Sequence, residues 1–435
     1  MDKISHIKRD EIRFKHDLEV NKMTSREFYQ DPRARVDYQQ YILRDTEYFN
    51  LFKLAILYNK HLFVNRTVLN LNCELGLLAL FAAKAGAKTV YAIDDSKVVD
   101  YTRQVVASNG FEHIINVIEG NIRTIKLPTK VDIIIADWLG YTLLFESTCA
   151  DVIYARDHWL KDSGIIFPDI ARMFLLLGQN TENRNAYTEW WHNVHGFNMK
   201  ALRQSVTKTP KFQYVGKENL LTDRYEIYDL DMNTATIADL KVRSQFIFNI
   251  KRSCTIDVAI TYFEAKFSKS HIPVYIRTNP SCKRSTRFKQ GIFYFNKPVN
   301  VEASSLLYGG IEMCPAQFNT DFKCIDINFE LYAGNPGNSN LLTEMHWRLP
   351  SYFVERKTKP RINVVNNKQT IVEKVEIVDQ LVKDEKDENK DINGNKTEEH
   401  VKKVNEDAKC NKDVEDFNKH SKTKKNRKKK YKKII

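Results

Sequence analysis

Between residues 68 and 168, short apolar runs alternate with helix-patterned stretches, and this alternation restricts the fold more than any other feature of the chain. Residues 68–72 read as a buried strand. Residues 76–86 read as a helix, with Leu77, Leu78, Leu80 and Phe81 apolar and Gly86 as its stop. A second strand at 89–93 runs into Asp94 and Asp95, a second helix covers 98–109, and further strands follow at 114–118 and 131–136. A helix at 152–160 and an extended segment at 165–168, after the Ser163-Gly164 turn, complete the pattern. Strands and helices at this spacing predict a parallel sheet covered by helices. Residues 26–63, ahead of it, are helical and aromatic-rich. Beyond Pro168 the segments 173–177, 244–250, 254–267, 291–295 and 324–332 look like strands of an antiparallel domain. The polar insertion at about 190–222 reads as an arm.

The organisation expected is a loose arm at 1–25, an α/β domain at 26–168, a β domain at 169–355 and a charged, disordered tail at 356–435. The tail holds 24 Lys and Arg against 15 Asp and Glu, a net of +9, which leaves only +4 of the total +13 for the first 355 residues. The body is therefore not a basic protein. The run 422–433 reads as a nuclear import signal or a weak, salt-sensitive nucleic-acid contact. No stretch is apolar for the eighteen or so residues that a membrane span requires, and the charged N-terminus lacks the pattern of a signal peptide. A location in nucleus and cytoplasm follows. The 7 cysteines show no zinc spacing and suit reduced thiols.

Ligands of open α/β sheets sit at the carboxyl ends of the strands. There the chain places Asn72, Cys73, Glu74 and Gly76 after the first strand and Asp94 after the second, where an acid commonly meets ribose hydroxyls. After the fourth strand come Asp137, Trp138, Gly140, Tyr141 and Glu146. Two carboxylates beside an aromatic wall make a socket for a planar cation, above all a guanidinium, which meets a carboxylate through two parallel hydrogen bonds.

Several motifs in order carry a family resemblance. They are Phe81-Ala82-Ala83-Lys84-Ala85-Gly86-Ala87, Val131-Asp132-Ile133-Ile134-Ile135, Trp138-Leu139-Gly140-Tyr141, Ala155-Arg156-Asp157, Gly164-Ile165-Ile166-Phe167-Pro168-Asp169 and Trp190-Trp191-His192-Asn193-Val194. Over about 26–352 the chain resembles the protein arginine N-methyltransferases. That implies a Rossmann-like domain for S-adenosyl-L-methionine, then an antiparallel β-barrel substrate domain with a dimerisation arm. It also implies a homodimer, or a heterodimer with a related methyltransferase, and methyl transfer to arginines of proteins such as histones and RNA-binding proteins. Asp137 and Glu146 would be the catalytic pair that holds the substrate guanidinium, with Trp138, Tyr141 and Arg287 on the substrate side. Asn72, Gly76, Asp94, Arg35, Tyr48 and Arg123 occupy the cofactor positions.

The departures from the family are specific. Asp137 stands for a glutamate, shorter by one bond of about 1.5 Å. Tyr48 stands for an arginine that pairs the cofactor carboxylate, Arg35 for a histidine, and Arg123 for the glutamate that meets the adenine. Asn72, Cys73 and Glu74 fill a glycine-rich loop, and Thr286-Arg287-Phe288 replaces Thr-His-Trp. Two like charges at about 4 Å cost on the order of 4 kcal/mol at an effective dielectric near 20, so Glu74 opposes an anionic cofactor end. Two functions follow: arginine methyl transfer, or a pseudoenzyme scaffold that binds arginine peptides or dimerises with an active relative. Arg287 would reach Asp137 or Glu146 and occupy the substrate's place, or lie as a surface arginine in its loop.

Overall fold

The computed structural model describes residues 31–280, 286–316, 322, 324–335 and 338–349. The expected arm at 1–25, the tail from 356 and its basic run at 422–433 lie outside these. Three helices lead in: α1 (Val36–Leu43), α2 (Thr46–Leu57) and α3 (Lys60–Phe63). The parallel sheet then alternates with helices in the order β1 (Thr67–Leu71), α4 (Leu77–Lys84), β2 (Thr89–Asp94), α5 (Val99–Ser108), β3 (Ile115–Glu119), β4 (Val131–Ala136), α6 (Cys149–Trp159) and β5 (Leu160–Phe167). Its strand order is β3-β2-β1-β4-β5. The chain leaves β1 towards β2 on one side and returns to β4 on the other, so the order reverses at β1. That reversal opens a crevice at the carboxyl ends of β1 and β4.

Local chemistry explains these elements. β4 is a β-branched run whose Ile133, Ile134 and Ile135 are fully covered, as a strand buried on both faces requires. α4 is built from Leu and Ala, good helix formers. It starts at Gly76, whose φ of 79° suits glycine, and a Cβ there would come within 2.9 Å of Thr102.

The second domain is a β-barrel type built from two antiparallel sheets. It contains β6 (Ile170–Gly178), β7 (Lys211–Gln213), β8 (Tyr225–Asp231), β9 (Val242–Asn249), β10 (Cys254–Phe267), β11 (Val274–Arg277), β12 (Gln290–Val301), β13 (Leu306–Pro315), β14 (Ile325–Asn335) and β15 (Asn338–Leu349). One sheet runs β7-β12-β10-β6-β8 with β11 on β10, the other β15-β14-β13-β9. Phe293, Phe295, Phe329 and Trp347 fill the space between them. A column of rings ties this domain to the first: Phe52 lies 5.1 Å from Phe267, Phe267 5.7 Å from Phe167, and Phe167 5.8 Å from Phe63.

The arm leaves β6 as α7 (Thr181–Glu189) and continues through the turn Trp190–His192 to α8 (Arg203–Thr207). Its anchor is the buried Asp257 of β10, which accepts from the Asn180 amide and the Thr181 hydroxyl, both at 2.7 Å. Asp257→Ala should cost about 1–3 kcal/mol, because it leaves the buried Asn180 amide and the Thr181 hydroxyl without an acceptor. Hydrogen exchange should speed up at the α7 amides and leave β4 unchanged. Equal acceleration in both would refute a local anchor.

Candidate active site

Asp137 leaves the end of β4 into a tight loop. Gly140 bridges to Leu143 and Tyr141 to Phe145. Thr142, Leu143 and Glu146 take left-handed φ values of 46°, 68° and 61°, costing roughly 1–2 kcal/mol for such residues. Backbone strain of this kind clusters at functional sites. Gly140 admits no side chain, since a Cβ would lie 2.2 Å from the Phe145 carbonyl oxygen.

Both Asp137 oxygens are taken from within the chain. The Tyr48 hydroxyl donates to Oδ1, and Arg287 Nη2 donates to Oδ2. Arg287 comes from the loop that enters β12. Its backbone N–H donates to Asp45 Oδ2 at 2.6 Å, and its Nη1 stands 3.9 Å from the same oxygen. Asp45 also caps α2 by accepting from the Tyr48 amide at 3.1 Å. The guanidinium lies 4.2 Å over the Tyr48 ring and 4.5 Å from Phe288. Its side chain is 10% exposed and that of Asp137 15%. Burial works against the Arg287 cation, but Asp137 and the neighbouring Tyr48 outweigh it and hold the pKa above its ordinary value. Burial, then the Asp137 charge, pushes the Tyr48 phenol well up. Of the two alternatives for Arg287, the structure shows the one that fills the socket at Asp137.

The other acid of the pair stands apart from this contact. The Glu146 amide donates to the Phe322 carbonyl at 2.9 Å, its side chain is exposed, and its charge helps raise the phenols of Tyr38 and Tyr141. Trp138 is not the aromatic wall expected of it. It is fully buried beneath the loop, where its Nε1 donates to the Pro168 carbonyl at 2.9 Å. Tyr48 and Phe288 supply the wall, and Tyr141 packs 5.5 Å from Phe288.

On the nucleotide side, Asp94 is buried and committed. It accepts from the Ser96 amide at 2.9 Å and the Glu74 amide at 3.0 Å, and Arg33 Nη1 approaches to 3.1 Å. Arg33, which also pairs with Asp95, was not visible as a site residue in the sequence. Asn72 and Glu74 adopt left-handed φ of 49° and 47°, as the glycines of a close-approach loop would. Asn72 Nδ2 is buried without an acceptor. Arg35 starts α1 and pairs with Asp37. Arg123 turns to α6, where it meets Asp151 at 3.0 Å and the Ala150 carbonyl at 3.2 Å.

Burial, with Asp137 and Asp94 nearby, pushes Glu74 up from 4.5 to about 7 against the opposing pull of Arg287 and Arg33. The folded state therefore holds this proton more tightly than the unfolded chain does. That contribution to stability is complete below about pH 4.5 and is lost as pH rises through about 7. Glu74→Gln should remove the loss, on the order of 3 kcal/mol. Denaturation near pH 5 and pH 8 checks this, and an equal gain at both would contradict it.

The comparisons identify the fold's owners. Residues 169–334 match the family model for the arginine methyltransferase oligomerization subdomain, and residues 54–174 match that for ribosomal protein L11 methyltransferase. The chain is 33% identical over 315 residues to protein arginine N-methyltransferase 8-B of Danio rerio, covering 72% of this chain and 74% of that one. It is 33% identical to protein arginine N-methyltransferase 1 of Caenorhabditis elegans, covering 72% and 90%. The chain belongs to the protein arginine methyltransferase family. A solved chain of the Trypanosoma brucei PRMT1 enzyme–prozyme heterotetrameric complex with AdoHcy superposes at a TM-score of 0.69. It is 28% identical and covers 73% of this chain and all of that one.

The family's cofactor is S-adenosylmethionine. The residues here do not fit its amino-acid end in the arrangement described. Tyr48, set by the resemblance at an arginine position, gives its hydroxyl to Asp137, while Glu74 brings a carboxyl into the turn. Asp94, at the ribose position, is already set against Arg33.

Proposed function

We propose that this chain is a self-occluded member of the arginine methyltransferase family. Its acidic loop is built to receive an arginine of a partner protein, and in the resting chain Arg287 fills that seat. The observation that carries this is the buried contact of Arg287 with Asp137, completed by Tyr48 on the second carboxylate oxygen. A guanidinium on a carboxylate between aromatic rings is how a substrate arginine would be held. The structure is thus seated with the functional group the family acts on. Arginine-containing proteins, histones and RNA-binding proteins among them, are the substrate class this reading supports.

The same observation favours a second reading, a catalytically silent subunit that assembles with an active relative. A chain of an enzyme–prozyme assembly shares the fold, so such an assembly is open to this fold in either role. Methylation of an arginine-rich histone peptide by the purified chain, with calorimetric titration of S-adenosylmethionine beside it, tests whether the resting chain is closed. We expect no heat up to millimolar cofactor and no methylation of an arginine-rich histone peptide. Micromolar cofactor binding with turnover would refute self-occlusion. Under the second reading, mixing with an active relative gives a hetero-oligomer on gel filtration.

A further inference from the structure

Three carboxyl groups converge on the turn between β1 and α4. Glu74 stands in that turn with a left-handed backbone, its amide locked to Asp94 and its carbonyl held by the Thr102 hydroxyl from α5. The resemblance implies a glycine-rich loop here, and this chain sets a charged side chain in it. Beyond burial, the charges of Asp137, after β4, and of Asp94 on β2 raise the Glu74 carboxyl, those of Arg287 from the β domain and Arg33 from the Pro32–Ala34 turn oppose them, and its own charge raises the Cys73 thiol and the Tyr38 phenol on α1. Each arginine already stands beside carboxylates: Arg33 beside Asp94 and Asp95, and Arg287 on Asp137 through Nη2, with its Nη1 3.9 Å from Asp45 and without a hydrogen-bond partner among the described residues. Tyr48, where the resemblance implies a cation, is a buried phenol that donates to Asp137. An incoming carboxylate would therefore meet Glu74 and Asp137 without a dedicated partner.

We propose that Glu74 selects the nucleoside this crevice admits. While Glu74 is charged, a nucleoside whose tail ends in a carboxylate is turned away, and one whose tail ends in an amine is accepted. This rests on the crevice being the nucleoside site of the family. It concerns ligand choice at that site and is separate from the occlusion of the arginine seat. Binding of the carboxylate-ended nucleoside is then linked to uptake of a proton by Glu74. The direction follows from burial, which already favours the neutral carboxyl, so affinity rises as pH falls.

The test is calorimetry on the full chain with two probes. One is S-adenosylhomocysteine; the other is S-adenosyl-3-thiopropylamine, the same molecule without its carboxylate. Wild type at pH 8 should prefer the amine by at least about tenfold, and its affinity for S-adenosylhomocysteine should rise by about tenfold in all between pH 8 and pH 6. Glu74→Gln should bind S-adenosylhomocysteine alike at both pH values and leave the amine's affinity unchanged. Equal affinity of wild type and Glu74→Gln for S-adenosylhomocysteine at pH 8 would overturn the proposal. So would a pH dependence shared by both probes. If the amine binds but Glu74→Gln changes nothing, Glu74 is not the selector and the nucleoside site stands. If neither probe binds either protein, the nucleoside site falls together with the proposal.

Discussion

Exchanging Asp137 for alanine is expected to lower the unfolding free energy by about 3–5 kcal/mol, because it strands a buried guanidinium with its chief partner gone. Arg287 has nowhere nearby to find water, since its side chain is 10% exposed. Tyr48 loses its acceptor in the same stroke. The double variant Asp137→Ala with Arg287→Leu should recover much of the loss, as replacing a buried ion pair by apolar groups often does. The pair Lys251–Asp223, with side chains 71% and 82% exposed, is the internal control and should be worth under about 1 kcal/mol. Urea denaturation measures all three against wild type. A loss below about 1 kcal/mol for Asp137→Ala would mean that the contact at Asp137 is not a buried pair.

The second large effect is on binding. Arg287→His should vacate the seat at Asp137 and let an arginine-rich peptide in. If the internal contact is worth about 3 kcal/mol, an outside arginine gains on the order of a hundredfold in affinity once it no longer competes. Fluorescence anisotropy with a labelled arginine peptide reads this directly. The same peptide with lysine should gain little, because an ammonium cannot make the two parallel bonds. Unchanged affinity for the arginine peptide would leave Arg287 a structural residue only.

Much of the fold was legible because burial on both faces writes itself into composition. β4 and β10 are β-branched or aromatic runs and fall at Val131–Ala136 and Cys254–Phe267 in the structure. β13 was not singled out, because Gly309 and Gly310 break its pattern. Gly309 is there because a Cβ would come within 2.0 Å of the Glu330 carbonyl oxygen on β14. β5 starts at Leu160, five residues before the extended segment expected, since Lys161, Asp162, Ser163 and Gly164 look like a turn. They fall between the pairs Val131–Leu160 and Ile133–Ile165, in an irregular register with β4 that no local pattern records. At the site, the acids and Arg287 could be picked out by position. The inward turn of Trp138 and the reach of Arg33 to Asp94 could not. Each depends on a partner far along the chain, Pro168 in one case and the end of β2 in the other.

The contact that fills the arginine seat is also a stitch between domains. Asp137 belongs to the parallel sheet, Arg287 to the β domain, and Asp45 and Tyr48 to the helices that lead in. Whatever draws Arg287 out therefore unpicks a seam at three edges at once. Occupancy of the seat is thereby linked to the junction of the two halves, which the Phe52–Phe267–Phe167–Phe63 column also holds. A partner that merely flexes the halves apart would open the seat without touching it, and a peptide that takes the seat would loosen the halves in return.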